Sequence, residues 1–573
     1  MNTRPIFRYA AAAVTALAAF ACSIDDTGAP ALPDTPGTTA PFTITATMDD
    51  APETRVSAID DGASKIELKW KNGDIIHIIN SAEQGTASAG TLYTFTCANI
   101  SSDGKTASFT CADYPADATP AYALHASPYA SIFNPASMSY SLANFLPAAS
   151  SLPGSPFPLW ARYDPGNRLL VFKPLCAVLK LNITLPAGAA GTLSQIRIGS
   201  EDGSQIFYTG SYDITSGAAV RADNTAQSYI RFSGSTSLAA NSEQSVYLPV
   251  RPGSELSGQA LEIDLVVGNS IYTATLRGAK IETGKCYPLT LGAAKWTAHK
   301  IYEGGTGEQG NPYQIATETN LRALAGAVRA GEMYHRKYFE LTTSVSGITT
   351  SAADPWLPIG SDGIYFGGNF DGNGHTVSGT FHLSDKNGCY LGFFGNISGY
   401  SGCNISNLTL EGDVVYNGSG NPYTIYLGAI AGACTQEITG CAHSGALTAE
   451  NTAMTQTVYA GGIVGQALNN ISGCTRKGEA LTVNIPNAPV YAGGIVGFLG
   501  GAAAMHTCRN ESGITATGKS DTYAGALAGN NSGKVYSCST FPDGLAITVN
   551  GRAQNPAKAI GTGYAVNDTE HID

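Results

Sequence analysis

The chain has 573 residues, enough for roughly three or four domains. Only 13% of the residues are charged and 67 are glycine, which is typical of a β-rich, turn-rich exported protein and argues against a helical cytosolic enzyme. The formal charge of −12 is spread thinly and includes no basic stripe. The composition therefore excludes a nucleic-acid-binding surface and a surface that attracts anionic membranes.

Residues 1–22 have the pattern of a targeting signal. Two arginines precede the apolar stretch Ala10–Phe20, which is too short to span a bilayer. The segment resembles a bacterial lipoprotein signal, which implies that Cys22 is lipidated and anchors the chain to the outer membrane. The alternative is an ordinary secretory signal that happens to contain a cysteine. Residues 23–26 resemble the surface-export signal of Bacteroidetes lipoproteins, and residues 23–42 predict a proline-rich tether.

The cysteines do not have the spacing of a metal site. Eleven remain after Cys22, with no Cys-x-x-Cys pair and no Cys/His pattern, so we predict no metal and no cofactor. Cys97 and Cys111 flank a turn at Ser102–Lys105. They either form a disulfide across a hairpin or remain two half-buried thiols.

Short alternating runs separated by turn residues cover residues 42–294. Leu92–Cys97 and Ala107–Cys111 have the pattern of a hairpin, and Ala177–Ile183 that of a later strand. No segment of this region has the pattern of a helix. The region therefore predicts β-sandwiches rather than βαβ units.

Five segments of this region resemble the fimbrillin-like lipoproteins of Bacteroidales. They are Thr54-Arg55, Trp70 with Gly73-Asp74, Pro174–Ile183, Val246–Val250 and Gly284–Tyr287. The resemblance implies two tandem β-sandwiches of transthyretin-like topology, residues 43–165 and 166–296. It also implies protease cleavage at Arg55, which removes a first strand and lets fimbrial subunits join by strand exchange. The alternative is that Arg55 is a solvated residue on the first strand.

The C-terminal part repeats one glycine-rich phrase. YAGGIVG occurs at Tyr459–Gly465 and Tyr491–Gly497, with looser copies at Tyr426–Gly432 and Tyr523–Gly529. Aligned on their tyrosines and extended back to Tyr390, the copies are 36, 33, 32 and 32 residues apart. Because this period is nearly constant and glycine pairs weaken helices, we predict a parallel β-solenoid with coils about 4.8 Å apart. We expect about three strands per coil, the phrase itself forming one strand covered on both faces, with glycines for close backbone approach or a corner.

Two sets of residues recur in register with this period. The tyrosines form a predicted aromatic ladder, which either packs in the core or faces outward as a strip that binds sugar or peptide. They are Tyr390, Tyr426, Tyr459, Tyr491 and Tyr523. The cysteines predict a buried column of small side chains. They are Cys441, Cys474, Cys508 and Cys538.

The repeats resemble the GLUG motif family, and segments before them resemble the module that precedes such repeats. Those segments are Asn311–Ile315, Trp356–Gly360 and Phe366–His375. Glu318–Ala330 predicts a helix with one apolar stripe, ended by Gly331. We therefore assign residues 297–384 to a leading module and residues 385–573 to the solenoid repeats. The resemblance implies a surface protein or adhesin, with no chemistry in the repeat itself.

The chain has no pattern that points to catalysis. Asp371–Gly374 resembles the start of a calcium loop, but His382 occupies the position of the required glutamate, so the segment is a structural turn or an incomplete calcium site. Carboxylates of the repeats fall at different phases, so no pair suited to glycoside hydrolysis is predicted. No nucleophile motif occurs either.

Taken together, these features predict a mostly β, non-enzymatic lipoprotein on the cell surface. We expect an adhesin, or an accessory or tip component of a fimbria, that binds a host or community ligand, a glycan or a protein, through its solenoid. One alternative is a surface glycan-binding lipoprotein of a nutrient-uptake system. Another is a β-helix enzyme that cleaves glycans.

Overall fold

A computed structural model provides the structure. It describes residues 42–48, 69–80, 92–115, 118–125, 133–134, 139–142, 145–147, 159–175, 177–201, 203–208, 210–217, 226–250, 256, 258–277, 286–361, 363–399, 402–418, 422–540, 545–554 and 558–563. These residues are mostly β-strand, and one α-helix occurs among them, as predicted.

The first unit is a seven-stranded closed barrel. The strands of this part of the chain are β1 Phe42–Met48, β2 Ile75–Asn80, β3 Tyr93–Ile100, β4 Thr106–Cys111, β5 Pro120–His125, β6 Phe133–Asn134, β7 Ser139–Leu142, β8 Phe145–Pro147, β9 Leu159–Asp164 and β10 Leu169–Pro174. The barrel order is β1-β10-β9-β5-β2-β3-β4. Trp70 lies at its centre, edge-on to Phe109 and Phe172 at 4.9 and 5.2 Å between ring centroids. The predicted hairpin is confirmed, because β3 and β4 pair antiparallel.

The proposed division after residue 165 falls inside the β9–β10 hairpin. Since β10 pairs with both β1 and β9, the first sheet continues to Pro174. Conversely, β8 precedes the predicted boundary in the sequence but pairs with a strand of the second unit. The two units therefore exchange short segments around the predicted boundary.

The second unit consists mainly of two facing sheets. Its strands are β11 Ala177–Thr184, β12 Gly191–Ser200, β13 Phe207–Tyr208, β14 Gly210–Asp213, β15 Ala226–Gln227, β16 Tyr229–Ser233, β17 Ser237–Leu238, β18 Glu243–Val250, β19 Ala260–Val267, β20 Ser270–Arg277, β21 Cys286–Leu291 and β22 Thr297–Lys300. One sheet has the order β18-β11-β21 and the other β22-β20-β19-β12-β16-β8. Alternate residues such as Leu181, Ile196 and Ile263 fill the space between them. The transthyretin-like topology of the two units remains a prediction.

The leading module contains one α-helix that covers the start of the solenoid. Its elements are β23 Tyr313–Ile315, α1 Glu318–Ala330, β24 Tyr338–Leu341, β25 Val345–Thr349, β26 Asn369–Asp371 and β27 Thr376–Leu383. The helix has the predicted bounds. Thr317 and Asn320 form a capping box at its start, and Gly331 ends it with φ 125°. Its buried apolar face continues the solenoid core.

The solenoid is a stack of parallel coils, each with five short strands. The strands are β28 Tyr390–Leu391, β29 Phe394–Ile397, β30 Asn404–Ser406, β31 Thr409–Glu411, β32 Val414–Asn417, β33 Ile425–Gly428, β34 Ala431–Cys434, β35 Glu437–Thr439, β36 Ala442–Ser444, β37 Leu447–Glu450, β38 Val458–Gly461, β39 Val464–Ala467, β40 Ile471–Ser472, β41 Thr475–Lys477, β42 Leu481–Asn484, β43 Val490–Gly493, β44 Val496–Leu499, β45 Ala504–His506, β46 Arg509–Asn510, β47 Ile514–Thr517, β48 Tyr523–Gly525, β49 Ala528–Asn531, β50 Lys534–Tyr536, β51 Ser539–Thr540, β52 Ile547–Val549, β53 Arg552–Ala553 and β54 Ile560–Gly563. The parallel solenoid is confirmed, but the expected three strands per coil are wrong.

A network of buried charges joins the second unit to the helix. Asp264 is fully buried and lies 3.1 Å from Arg197 Nη1 and 3.0 Å from Arg329 Nη2. Both arginines also contact Glu262, at 2.8 and 3.1 Å. Arg231 Nε donates to the carbonyl oxygen of Arg329 at 2.7 Å. The two arginines and two carboxylates of the ion pairs balance in charge, and the third arginine, Arg231, is paired with a carbonyl oxygen instead.

Candidate functional site

The repeated phrase forms a corner between two strands. In the copy Tyr459–Gly465, strand β38 ends at Gly461, the chain bends at Gly462-Ile463, and β39 begins at Val464. The prediction that the phrase is one strand covered on both faces is therefore wrong. Successive corners are held by backbone hydrogen bonds between coils, such as Ile463 N–H to the carbonyl of Ile495 at 3.0 Å.

The glycines of the phrase are required where the two strands approach each other. A Cβ on Gly461 would overlap the carbonyl oxygen of Val464, and one on Gly465 would lie 2.5 Å from the backbone nitrogen of Leu427 in the preceding coil. Both contacts are with backbone, which cannot move aside as a side chain can. The structure shows both roles expected for these glycines, close backbone approach and a corner.

The five tyrosines form one continuous stack on the outer face beside this corner. Each pairs in register with the next, and their ring centroids are 4.9–5.5 Å apart with interplanar angles of 8–20°. Val458 and Ala460 on either side of Tyr459 are fully buried, so the ring itself points outward. Tyr523 is 37% exposed and the other four rings are half-buried. Of the two interpretations of the ladder, the structure has the outward-facing one; ligand binding by it remains a prediction.

A second outward column borders the tyrosines across the corner. It contains Gln466, Phe498 and Asn530, which pair in register on neighbouring strands. The ring of Phe498 lies 5.5 Å from that of Tyr459. The side chains of Gln466 and Asn530 lie near Tyr426 and Tyr459 of the first column. The two columns together make an aromatic and amide strip that runs along the solenoid; we call it the tyrosine strip.

The hydroxyls of the three middle tyrosines keep their protons. Burial raises the pKa of Tyr426, Tyr459 and Tyr491 above the ordinary value. Each hydroxyl can therefore both donate and accept a hydrogen bond at neutral pH. A flat aromatic surface with such hydroxyls suits a ligand that has apolar and polar faces, such as a sugar or a peptide.

A polar column inside the core was missed by the sequence analysis. His443, Arg476 and Asn510 pair in register and are fully buried. Burial lowers the pKa of His443 to about 3, with a further contribution from Arg476, and lowers that of Arg476 to about 10. Arg476 Nη2 donates to the carbonyl of Glu479 at 2.7 Å, and Asn510 Nδ2 donates to that of Ser512 at 3.0 Å.

The glycine pair of the phrase is the sequence signal for this column. A Cβ on Gly462 would lie 2.8 Å from Cδ of Arg476, and one on Gly494 would overlap the side chain of Asn510. The looser copies have Ala429 and Ala526 at this position. In the two exact copies the second glycine therefore makes room both for a large polar side chain in the core and for a backbone carbonyl oxygen of the next coil, which an added Cβ would overlap.

The cysteines form the predicted buried column. Cys441, Cys474, Cys508 and Cys538 are at most 1% exposed, and the thiols of successive coils contact each other. Each thiol also donates to a backbone carbonyl of the preceding coil, for example Cys474 Sγ to Ile438 at 3.8 Å. These thiols are free in the structure, so the column acts as packing.

The segment Asp371–Gly374 is a structural turn. Asp371 Oδ1 accepts hydrogen bonds from the backbone of Asn373 at 2.8 Å and from Asn407 Nδ2 at 3.0 Å, which joins the turn to the next coil. Asn373 and Gly374 have φ of 51° and 74°. Within the described part of the chain, no group of three His, Cys, Asp or Glu side chains could hold a metal ion.

The remaining predicted sites lie outside this region. Cys22, expected to carry the lipid, and Arg55, the candidate cleavage site, are not among the described residues. Cys97 and Cys111 are half-buried free thiols, one of the two states considered for them. No helix among the described residues is long and apolar enough to cross a membrane.

Comparisons with known proteins do not assign the chain to a family. No protein-family model matches it. A protein from Evansella cellulosilytica, provisionally described as a Gly-rich membrane protein, is 35% identical over 119 residues, which are 20% of this chain and 13% of that protein. The chain therefore spans only a small part of that relative's length, and the match carries no whole-protein function to it.

Several solved structures show remote similarity. A protein from Bacteroides ovatus, provisionally described as an immunoglobulin A1 protease, is 20% identical with a TM-score of 0.33, over 47% of this chain and 86% of that one. Another, provisionally a cell adhesion protein from Bacteroides ovatus ATCC 8483, is 15% identical with a TM-score of 0.30, over 46% and 96%. The tip fimbrial protein Mfa3 from Porphyromonas gingivalis is 10% identical with a TM-score of 0.22, over 45% and 98%. Similarity at this level establishes neither a shared fold nor a shared function.

Proposed function

We propose that the protein is a non-enzymatic cell-surface adhesin, or an accessory or tip component of a fimbria, that binds a glycan or protein ligand through its solenoid. The observation that carries the proposal is the tyrosine strip. Five stacked rings, in register over successive coils, give an extended and rigid contact surface. Aromatic side chains that lose little conformational entropy on binding are favoured at recognition surfaces.

The rest of the chain fits a role in presenting this surface. The two β units precede the solenoid, and the charge network around Asp264 joins the second of them to the helix of the leading module. We propose that a lipid on Cys22 anchors the chain to the outer membrane. Cleavage at Arg55 and strand exchange with fimbrial subunits are proposed on the same basis, the resemblance of the N-terminal part to fimbrillin-like lipoproteins.

The test is binding of the full chain to arrays of glycans and of extracellular-matrix proteins. The variant Tyr459→Leu/Tyr491→Leu removes two central rings of the strip but keeps apolar bulk next to Phe498. We expect it to bind the array ligands at least about tenfold more weakly, because each stacked aromatic contact contributes about 0.5–1.5 kcal/mol. Tyr423→Ala is the matched control, since Tyr423 is 65% exposed and lies outside the strip.

Two results would contradict the proposal. One is an array ligand that the double variant binds as tightly as the unchanged protein does. The other concerns assembly: if deleting the protein abolishes surface fibres entirely, rather than reducing their binding, the protein is a stalk subunit and not an accessory or tip component.

A further inference from the structure

A concave surface lies at the leading module, away from the tyrosine strip. It is a groove of about 570 Å³ over strands β24, β26 and β30, walled on one side by the loop Gln309–Pro312. The Lys337–Glu308 ion pair, at 2.8 Å, holds this loop against the start of β24. The volume is in the range of small-molecule binding sites.

The register of the strands brings two rows of polar side chains into the groove. In one row Glu340 pairs with Asp371, and Asp371 with Ser406. In the other row Tyr338 pairs with Asn369, which lies beside Asn404 because Phe370 pairs with Ile405. All six line the groove: Tyr338, Glu340, Asn369, Asp371, Asn404 and Ser406.

Several of these side chains have unused hydrogen-bonding capacity. Asn404 Oδ1 is buried and accepts no hydrogen bond from any described residue. The side chains of Glu340 and Asn369 likewise make none within the described structure, although both are half-buried. A buried polar group without a partner is costly, so polar groups that converge unpaired in a groove point to a ligand that pairs them. Asp371, by contrast, already uses Oδ1 to hold its turn.

The lining also defines the chemistry of that ligand. No lysine, arginine or histidine lines the groove, so nothing in it neutralises a phosphate, sulfate or carboxylate. Carboxylates accept hydrogen bonds from hydroxyl groups, and amides such as those of Asn369 and Asn404 both donate and accept. The ring of Tyr338 adds an aromatic surface at the same site.

We propose that this groove binds a neutral carbohydrate. Sugar hydroxyls would donate to Glu340 and to Asn404 Oδ1, and would accept from the amide of Asn369. The site is separate from the tyrosine strip, which lies on different strands, so this inference goes beyond the proposed function and does not rest on it.

The experiment uses the full chain and calorimetric titration with neutral tetrasaccharides of glucose, galactose, mannose and xylose. Sialylated and sulfated oligosaccharides serve as anionic probes. We expect at least one neutral tetrasaccharide to bind, and Glu340→Gln and Asn404→Ala each to weaken it about tenfold, as expected for loss of a hydrogen bond that involves a charged or buried group. Glu450→Gln is the control, because it makes the same change at an exposed residue on another sheet.

Further outcomes separate this inference from the proposed function. The double variant Tyr459→Leu/Tyr491→Leu is expected to bind the neutral tetrasaccharide as the unchanged protein does, whereas its loss of that binding would overturn the groove as the site. Absence of neutral-sugar binding by the folded protein, or tighter binding of the anionic probes, would overturn the inference and leave the adhesin proposal standing. Release of new reducing ends would overturn a purely binding role for the groove, because Glu340 and Asp371 would then act as a catalytic pair.

Discussion

At the scale of single residues, the corner of each coil depends on glycine because glycine has no Cβ atom. Gly461 lies on the outer face of β38, yet its missing Cβ would occupy the space of the Val464 carbonyl. Gly462 makes room for Arg476 on the inner side of the same bend. The first glycine is present in all four copies, whereas the second is alanine in the two looser ones. At Gly462 an added Cβ would meet the side chain of Arg476 and would also overlap the carbonyl oxygen of Gly494.

The substitution Gly461→Ala tests the first of these roles. Since the added methyl group meets backbone on β39 and in the next coil, we expect a loss of about 1–3 kcal/mol in the free energy of unfolding. Urea unfolding of the full chain measures it. Gly501→Ala is the control, because its nearest atom would be 3.6 Å away, and there we expect a change below about 1 kcal/mol. Equal stability of the two variants would show that the corner tolerates a side chain.

The five tyrosines of the tyrosine strip were predictable because they recur with the period of the coil. Which way they face was not, since Tyr459 is surrounded by apolar and small residues on both sides in the sequence. The polar core column was not predictable at all. His443, Arg476 and Asn510 are different residue types, and buried arginine is rare enough that a surface position is the natural expectation.

At the scale of the element, the coil is built from strands too short to have a pattern of their own. Strands such as Ile471–Ser472 and Arg509–Asn510 have two residues, so no alternation can be seen in them. The period of about 32 residues predicted that the repeats stack as coils. It did not predict the number of strands per coil, because that number depends on where each of the five short segments turns. Longer strands were predicted more closely: Ala177–Ile183 was expected, and β11 is Ala177–Thr184.

The cysteine column makes a prediction at this scale. Burial raises the pKa of the Cys434 thiol to about 12 and also that of Cys403, and the column cysteines are equally inaccessible. We expect iodoacetamide at pH 8 to alkylate Cys97, Cys111 and Cys389, which are half-buried, well before these six in the folded protein. Peptide mass mapping identifies the modified cysteines.

Denaturation provides the control for that measurement, because unfolding is expected to make all of these cysteines react at similar rates. Early alkylation of Cys474 or Cys508 in the folded protein would contradict a closed core. It would mean that neighbouring coils open at that point.

At the scale of the whole molecule, the contact between the second β unit and the solenoid depends on paired charges. Asp264 is 0% exposed and is contacted by both Arg197 and Arg329. Burial alone would raise the pKa of Glu262. The guanidinium groups of Arg329 and Arg197 outweigh burial and hold this pKa below its ordinary value. The network thus favours the ionised form of Glu262 and joins sequence segments that are far apart.

Replacing Asp264 by alanine is expected to lower the free energy of unfolding by about 3–5 kcal/mol, because the buried guanidinium group of Arg197 and the partly buried one of Arg329 both lose a partner. Differential scanning calorimetry of the full chain measures the change. The control is Glu318→Gln, which removes an ion pair whose side chains are 33% and 36% exposed and should cost less than about 1 kcal/mol. A similar small change in both variants would show that the network does not hold the two parts together.

The sequence by itself determined the β class, the parallel solenoid, the helix Glu318–Ala330 and the membership of the tyrosine and cysteine columns. These follow from local capping and from a period that recurs in the sequence itself, so they can be recognised without knowing which side chains touch. Only the tertiary structure decided the outward face of the tyrosines, the corner at Gly462, the buried arginine and the groove at Glu340. Each of these depends on register between strands about 30 residues apart, and no local pattern encodes which side chains that register places together.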